Sequence, residues 1–189
     1  MATGPRVVVR EAALDDAPAI ARIQVRSWRA AYRGLMPDAV LDGLSAAERE
    51  ERWTEILGGE GAGAFTLVAQ LGDAVVGFCS IVLPSRDPDA DAATGEVAAL
   101  YVDPAHWGGG AGRVLLDAAL ARVPPERFTH VTLWVLAGNA RARRFYAAAG
   151  FRTDGAEASH AASGAREVRL RAALPRGEAG RGVAVDARG

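Results

Sequence analysis

The most constraining stretch of this chain is Glu96–Leu116. An apolar run, Val97–Val102, is closed by Asp103-Pro104, and glycines follow at 108, 109, 110 and 112. Leu115, Leu116, Ala119 and Leu120 then recur at helical spacing. A strand, a sharp turn and a helix satisfy that order, so a helix N-terminus stands close to a strand end. Glycine supplies unusual backbone torsions and lets the main chain approach a ligand closely. The free amides of a first helical turn, with the helix dipole, favour an anion there. A phosphate or pyrophosphate is the natural guest. A plain flexible loop reads the same way, so the turn needs independent support.

The familiar motifs that could use such a turn are excluded one by one. A dinucleotide G-x-G-x-x-G beginning at Gly108 requires glycine where the chain has Arg113. A Walker A loop requires lysine, and all 22 basic residues are arginine. The missing lysine also removes pyridoxal-phosphate chemistry and lysine nucleophiles. No G-x-S-x-G nucleophile elbow is present. Cys79 is the single cysteine, and His106, His130 and His160 lack ligand spacing, so no metal site is expected. With 22 basic against 23 acidic residues, a nucleic-acid partner is not expected. No apolar run reaches the roughly 20 residues of a membrane span, and Met1–Val9 has no signal-peptide core. The expectation is a soluble cytoplasmic protein with no membrane partner.

The 189 residues suit one domain. Val7–Val9 begins a first strand. Asp15 and Asp16 ahead of Pro18 read as acidic caps on a helix that ends before Gly34. Ile20, Ile23 and Ser27 share one of its faces, and Val25, Trp28 and Tyr32 another. A helical turn falls at Pro37–Gly43. Ser45 and Glu48 form a capping box for a helix over Ala46–Leu57, closed by Gly58, Gly59, Gly61 and Gly63. Strands Phe65–Leu71 and Ala74–Leu83 join at Gly72-Asp73, a hairpin signal. Pro84–Thr94 reads as an exposed acidic loop. Thr129–Leu136 is a strand, and Asn139 caps a helix reaching Ala149, with Gly150 just past its end. Phe151–His160 and Glu167–Leu174 form a last hairpin. The order predicts an α+β domain over residues 6–174, with a mixed sheet and helices on both faces. Residues 175–189 read as a flexible tail.

Two of these segments together resemble the GNAT superfamily of acyl-CoA-dependent N-acyltransferases. The family's central signature is Q/R-x-x-G-x-G/A after a strand. Trp107-Gly108-Gly109-Gly110-Ala111-Gly112 fits its glycines, with Trp107 in the Gln/Arg place. The second segment is Asn139 opening a helix, Tyr146 seven residues on, then Gly150-Phe151. The Glu167-Val-Arg-Leu strand fits as well, and the resemblance covers about Val7 to Leu174.

The resemblance implies a mostly antiparallel sheet with a V-shaped splay between the fourth and fifth strands. Acetyl-CoA is the implied co-substrate. Its pantetheine arm lies along Leu100, Tyr101 and Val102, and its pyrophosphate on the amides of Gly108, Gly109, Gly110, Ala111, Gly112 and Arg113. Asn139 helps hold the arm, and Tyr146 matches the general acid. Glu96 stands where family members often carry a base; a surface glutamate and a water relay are the alternatives. Arg141, Arg143 and Arg144 either approach the phosphates or form a solvated face. Trp28 and Tyr32 border the acceptor pocket or belong to the core, and Trp134 reads as packing. Asp87, Asp89 and Asp91 read as a solvated loop, or as an attractor for a cationic amine. The acceptor is a small-molecule amine or a peptide amino group, and a homodimer is left open. A non-catalytic acyl-CoA sensor is the alternative function; it has no need of Tyr146 or Glu96.

Overall fold

The computed structural model describes residues 6–59 and 63–175. The expected tail from residue 176 onward, and Gly61, lie outside the described residues. Seven strands form one sheet: β1 (Val7–Glu11), β2 (Ala64–Leu71), β3 (Ala74–Val82), β4 (Thr94–Val102), β5 (His130–Leu136), β6 (Arg152–Ser159) and β7 (Arg166–Ala173). Their spatial order is β1-β2-β3-β4-β5-β7-β6. Only the β4–β5 pair is parallel; every other pair is antiparallel. The helices are α1 (Ala17–Ala31), α2 (Asp38–Asp42), α3 (Ala46–Gly58), α4 (Ala111–Ala121) and α5 (Ala140–Ala148).

The helices cover both faces, as the sequence led us to expect. On one face Leu115, Leu116 and Ala119 of α4 and Tyr146 of α5 pack with Cys79, Val97, Val131, Leu133 and Phe151. On the other, Ile20, Ala21 and Ile23 of α1 and Trp53 of α3 pack with Val68 and Phe78. The alternation of strand side chains feeds both cores. Leu100 and Val102 pack towards α4, and Ala99 and Tyr101 towards α1. No helix among the described residues is long and apolar enough to cross a membrane.

One local reading is corrected and another extended. Asp16 occupies the N-cap of α1, but its side chain makes no cap bond there. Its carboxylate instead takes hydrogen bonds from Arg10 Nη1 at 2.6 Å and Arg10 Nη2 at 2.9 Å, and from the Ala13 amide at 2.7 Å. A nearby guanidinium outcompetes a helix amide for a carboxylate. The Pro84–Thr94 segment is largely exposed, as read, but it is also tethered. Asp87 and Asp89 both pair with Arg169 of β7, at 3.3 and 2.6 Å, and Arg169 is buried.

Candidate active site

The site begins where two strands part. β4 and β5 pair only over Thr94↔His130, Gly95↔Val131 and Glu96↔Thr132. On its other edge β4 stays bonded to β3 as far as Val102↔Gly77. The register slips there: Ile81 faces Val97 and Ser80 faces Ala99, so Ala98 is an extra, bulged residue. A bulge bends its strand and raises the local twist, which carries β4 away from β5 just past the last shared pair. The opening is a cleft of about 390 Å³. Val97–Val102 form one wall, Leu133, Trp134 and Val135 the other, and Gly108, Gly110, Ala111, Gly112, Asn139 and Tyr146 close it.

The glycine turn meets the cleft as a helix start. Gly110 caps α4 with φ 84°, a left-handed conformation that strains any side-chain-bearing residue. The amides of Gly110, Ala111 and Gly112 find no backbone acceptor, while those of Arg113 and Val114 bond to Gly110 O. Trp107, in place of the signature's Gln or Arg, donates Nε1–H to Val102 O at 2.7 Å. Its ring lies 3.5 Å from the Arg141 guanidinium carbon. Trp107 thereby ties the splayed strand to the turn and holds a cation at the cleft. Arg113 lines the cleft, yet its side chain folds back on Asp117, at 2.9 and 2.8 Å, and on Ala148 O. Of the three arginines on α5, Arg141 reaches the cleft lining and Arg143 turns to Ala137 O.

Asn139 caps α5 by accepting from the Ala142 amide at 3.1 Å. That bond uses its oxygen and leaves its NH₂ free at the cleft. Tyr146 lies between Phe145 and Phe151, with ring centroids at 5.1 and 5.7 Å. It is 8% exposed, and burial pushes its phenol well above the ordinary value. The phenol therefore stays protonated, with a hydrogen to donate.

Glu96 is placed differently from expectation. It sits at the last β4–β5 pair, next to Val97, and neighbouring strand residues face opposite sides of the sheet. Val97 shares a core with Tyr146, so Glu96 points the other way and is not part of the cleft lining. Arg86 grips its carboxylate through Nε at 3.0 Å and through its own amide at 3.1 Å. Burial pushes that carboxyl up, but the Arg86 hydrogen bonds outweigh it and the net shift is downward.

On the α1 side of the cleft, Tyr32 lines the site and Trp28 packs edge-on against it at 5.3 Å. Ser27, on the same helix, donates to Val102 O at 2.9 Å and pins α1 to the splayed strand. Trp134 is a correction. It lines the cleft rather than only packing, and donates Nε1–H to Asp87 at 2.8 Å. Its position on β5, two residues beyond the last β4 pair, makes it a wall, and that depends on the splay, which no strand pattern displays. No group of His, Cys, Asp and Glu able to hold a metal occurs among the described residues.

Known proteins share this arrangement. Residues 21–151 match the Acetyltransferase (GNAT) family. The uncharacterized N-acetyltransferase YuaI of Bacillus subtilis (strain 168) is 32% identical over 133 residues, which cover 70% of this chain and 73% of that one. A mycothiol acetyltransferase of Sanguibacter keddieii is 37% identical over 106 residues, which are 56% of this chain and 31% of that one. The crystal structure of PaiA N-acetyltransferase from Thermoplasma acidophilum in complex with coenzyme A superposes with a TM-score of 0.71, at 16% identity. That match covers 89% of this chain and 99% of that one. YncA from Salmonella typhimurium, solved with its cofactor acetyl-CoA, gives 0.66 over 94% of this chain and 99% of that one, at 22% identity. With its family match, its relatives and the splayed sheet in agreement, this chain is a member of the GNAT family, an N-acetyltransferase.

Proposed function

We propose that the chain transfers the acetyl group of acetyl-CoA to a primary amine, of a small molecule or a peptide, by direct attack in a ternary complex. The carrying observation is the open edge of β4 between Val97 and Val102, which ends at the unpaired amides of the α4 start. An extended pantetheine arm adds to such an edge as a strand would. A pyrophosphate suits the α4 amides, with Arg141, held over Trp107, as a cation at the cleft. The free Asn139 amide suits the arm's carbonyls.

The amine nitrogen attacks the thioester carbonyl carbon. A C–N bond forms, the C–S bond breaks, and the thiolate leaves. Tyr146, held neutral, donates its hydrogen bond to the developing thiolate, and the proton that completes the thiol comes from solvent. A phenol above 10 facing a thiol near 8.5 makes full transfer uphill, which favours donation over complete transfer. The amine's own proton leaves through water in the open cleft, because Glu96 is engaged by Arg86. Positioning of the two reactants supplies most of the acceleration.

The test is CoA release with an amine panel, comparing wild type with Tyr146→Phe. Loss of about 10²–10³-fold in kcat, with CoA binding retained, is expected for a lost donor. Unchanged turnover removes the acid role. Acetyl-CoA binding with no turnover of any amine in wild type favours the sensor instead.

A further inference from the structure

Two charged groups near the hydroxyl of Tyr101 have no ion-pair partner among the described residues. The first is Glu167. It stands opposite Leu136 in the β5–β7 register and therefore shares its face of the sheet. Leu136 packs there with Met36, Leu41, Trp28 and Tyr32. Glu167 is half-buried, and no hydrogen bond acts on its carboxylate; burial pushes its pKa up, with only His160 opposing. The buried carboxylates of Asp16, Glu96 and Asp103 each face an arginine instead. The second is Arg49 of α3, half-buried, its guanidinium 5.4 Å from the Trp28 ring centroid. No carboxylate among the described residues pairs with it. Beside them lies the buried Trp28 indole N–H, which is directed at the Tyr101 hydroxyl.

These groups flank one aromatic pair. Glu167 shares the sheet face against which Trp28 and Tyr32 pack, Arg49 lies against the Trp28 ring, and the charge of each bears on the Tyr101 hydroxyl. Tyr32 and Tyr101 line the cleft; Trp28, Glu167 and Arg49 stand outside that lining. This chain pairs its arginines with carboxylates freely, yet here an arginine and a glutamate approach the same tyrosine from different elements without meeting each other. Shielded charges left unpaired are costly, and a ligand carrying both complements would relieve both.

We propose that this side of the cleft selects a zwitterionic acceptor, an amine that also bears a carboxylate or similar oxyanion. Its ammonium faces Glu167 and the rings of Tyr32 and Trp28, and its oxyanion faces Arg49. The proposal rests on the acetyl-transfer reading and narrows its substrate class. Glu167 and Arg49 set specificity; the bond-making step is unchanged.

The test is CoA release at saturating acetyl-CoA, with α-, β- and γ-amino acids and aminophosphonates, each against its neutral amide or ester. At least one acid is expected to exceed its neutral partner in kcat/KM by about ten- to hundredfold, the range of one or two charge-assisted hydrogen bonds. Arg49→Gln is expected to bring that ratio close to one. Glu167→Gln is expected to raise KM for acid and neutral amine alike by about tenfold, with a smaller effect on kcat. Calorimetric titration of the same compounds into the full chain without acetyl-CoA reads the proposal separately. Preferential binding of an acid supports it even where acetyl transfer fails. Equal treatment of every acid and its neutral partner, in both turnover and binding, overturns it. So does an acid preference that survives Arg49→Gln, and thermal denaturation of the variant shows whether it is folded.

Discussion

Replacing Arg169 by methionine tests how the acidic loop is held and how it shapes the cleft. Arg169 Nε donates to Asp154 at 2.7 Å, its Nη1 and Nη2 donate to Asp89 at 2.6 and 2.8 Å, and Asp87 lies 3.3 Å away. The Arg169 side chain is 11% exposed, with Asp87 at 12%, Asp154 at 17% and Asp89 at 62%. The Asp89 arm, mostly in water, contributes about 0–1 kcal/mol. Methionine fills most of the volume, so the main cost is two shielded carboxylates without a cation. Breaking a buried pair costs about 3–5 kcal/mol. The loop can open to hydrate Asp87, which points to the lower end, about 3 kcal/mol. For a chain of this size that lowers Tm by roughly 6–12 °C. Thermal unfolding followed by circular dichroism measures it. Adding Asp87→Asn and Asp154→Asn to the variant should recover most of the loss, because the uncompensated charges are then gone. Asp87 also orients Trp134 in the cleft wall, so the single variant should raise the acetyl-CoA KM severalfold. A loss below about 1 kcal/mol, or a triple variant no more stable than the single one, refutes the reasoning.

Other expectations follow from the same geometry. Gly110→Ala meets no neighbouring atom but must adopt φ 84°; it should cost about 1–2 kcal/mol and weaken CoA binding, both measurable by thermal shift with and without CoA. Weakened stability with unchanged CoA affinity would remove the α4 amides from the phosphate site. Glu96→Gln should reduce kcat far less than Tyr146→Phe does, and equal losses would restore Glu96 as the base. Glu167 has a folded-state pKa above its unfolded one, so its ionisation works against folding. Its burden is absent below the unfolded carboxyl pKa and develops as pH rises through the folded value. Glu167→Gln should therefore be more stable than wild type at pH 7, the difference vanishing in acid; a variant less stable at pH 7 would contradict this.

Much of this molecule was legible in the linear chain because the signals are local. The glycine run, the Ser45 N-cap on the Glu48 amide and the Gly72-Asp73 turn each act through torsions and hydrogen bonds among near neighbours, and each stands where it was read, though the Glu48 carboxylate does not return the bond that would complete the capping box. Asn139 and Tyr146, seven residues apart on one helix, belong with the same local signals. The pairing of Asp16 and the tether of Asp87 and Asp89 were not read, for the opposite reason. Arg10 lies only six residues from Asp16 but on β1, Arg169 lies on β7, 82 residues from Asp87, and ion-pair partners follow from packing rather than spacing. The same holds for Glu96, claimed by Arg86, and for Trp134, which became a wall only because a bulge at Ala98 parts β4 from β5. The sequence by itself determined the elements, their order and the glycine turn that opens α4. Tertiary structure alone decided which carboxylates an arginine neutralises and left Glu167 half-buried opposite Leu136 without a hydrogen bond on its carboxylate, because pairing and burial depend on elements brought together across the sheet.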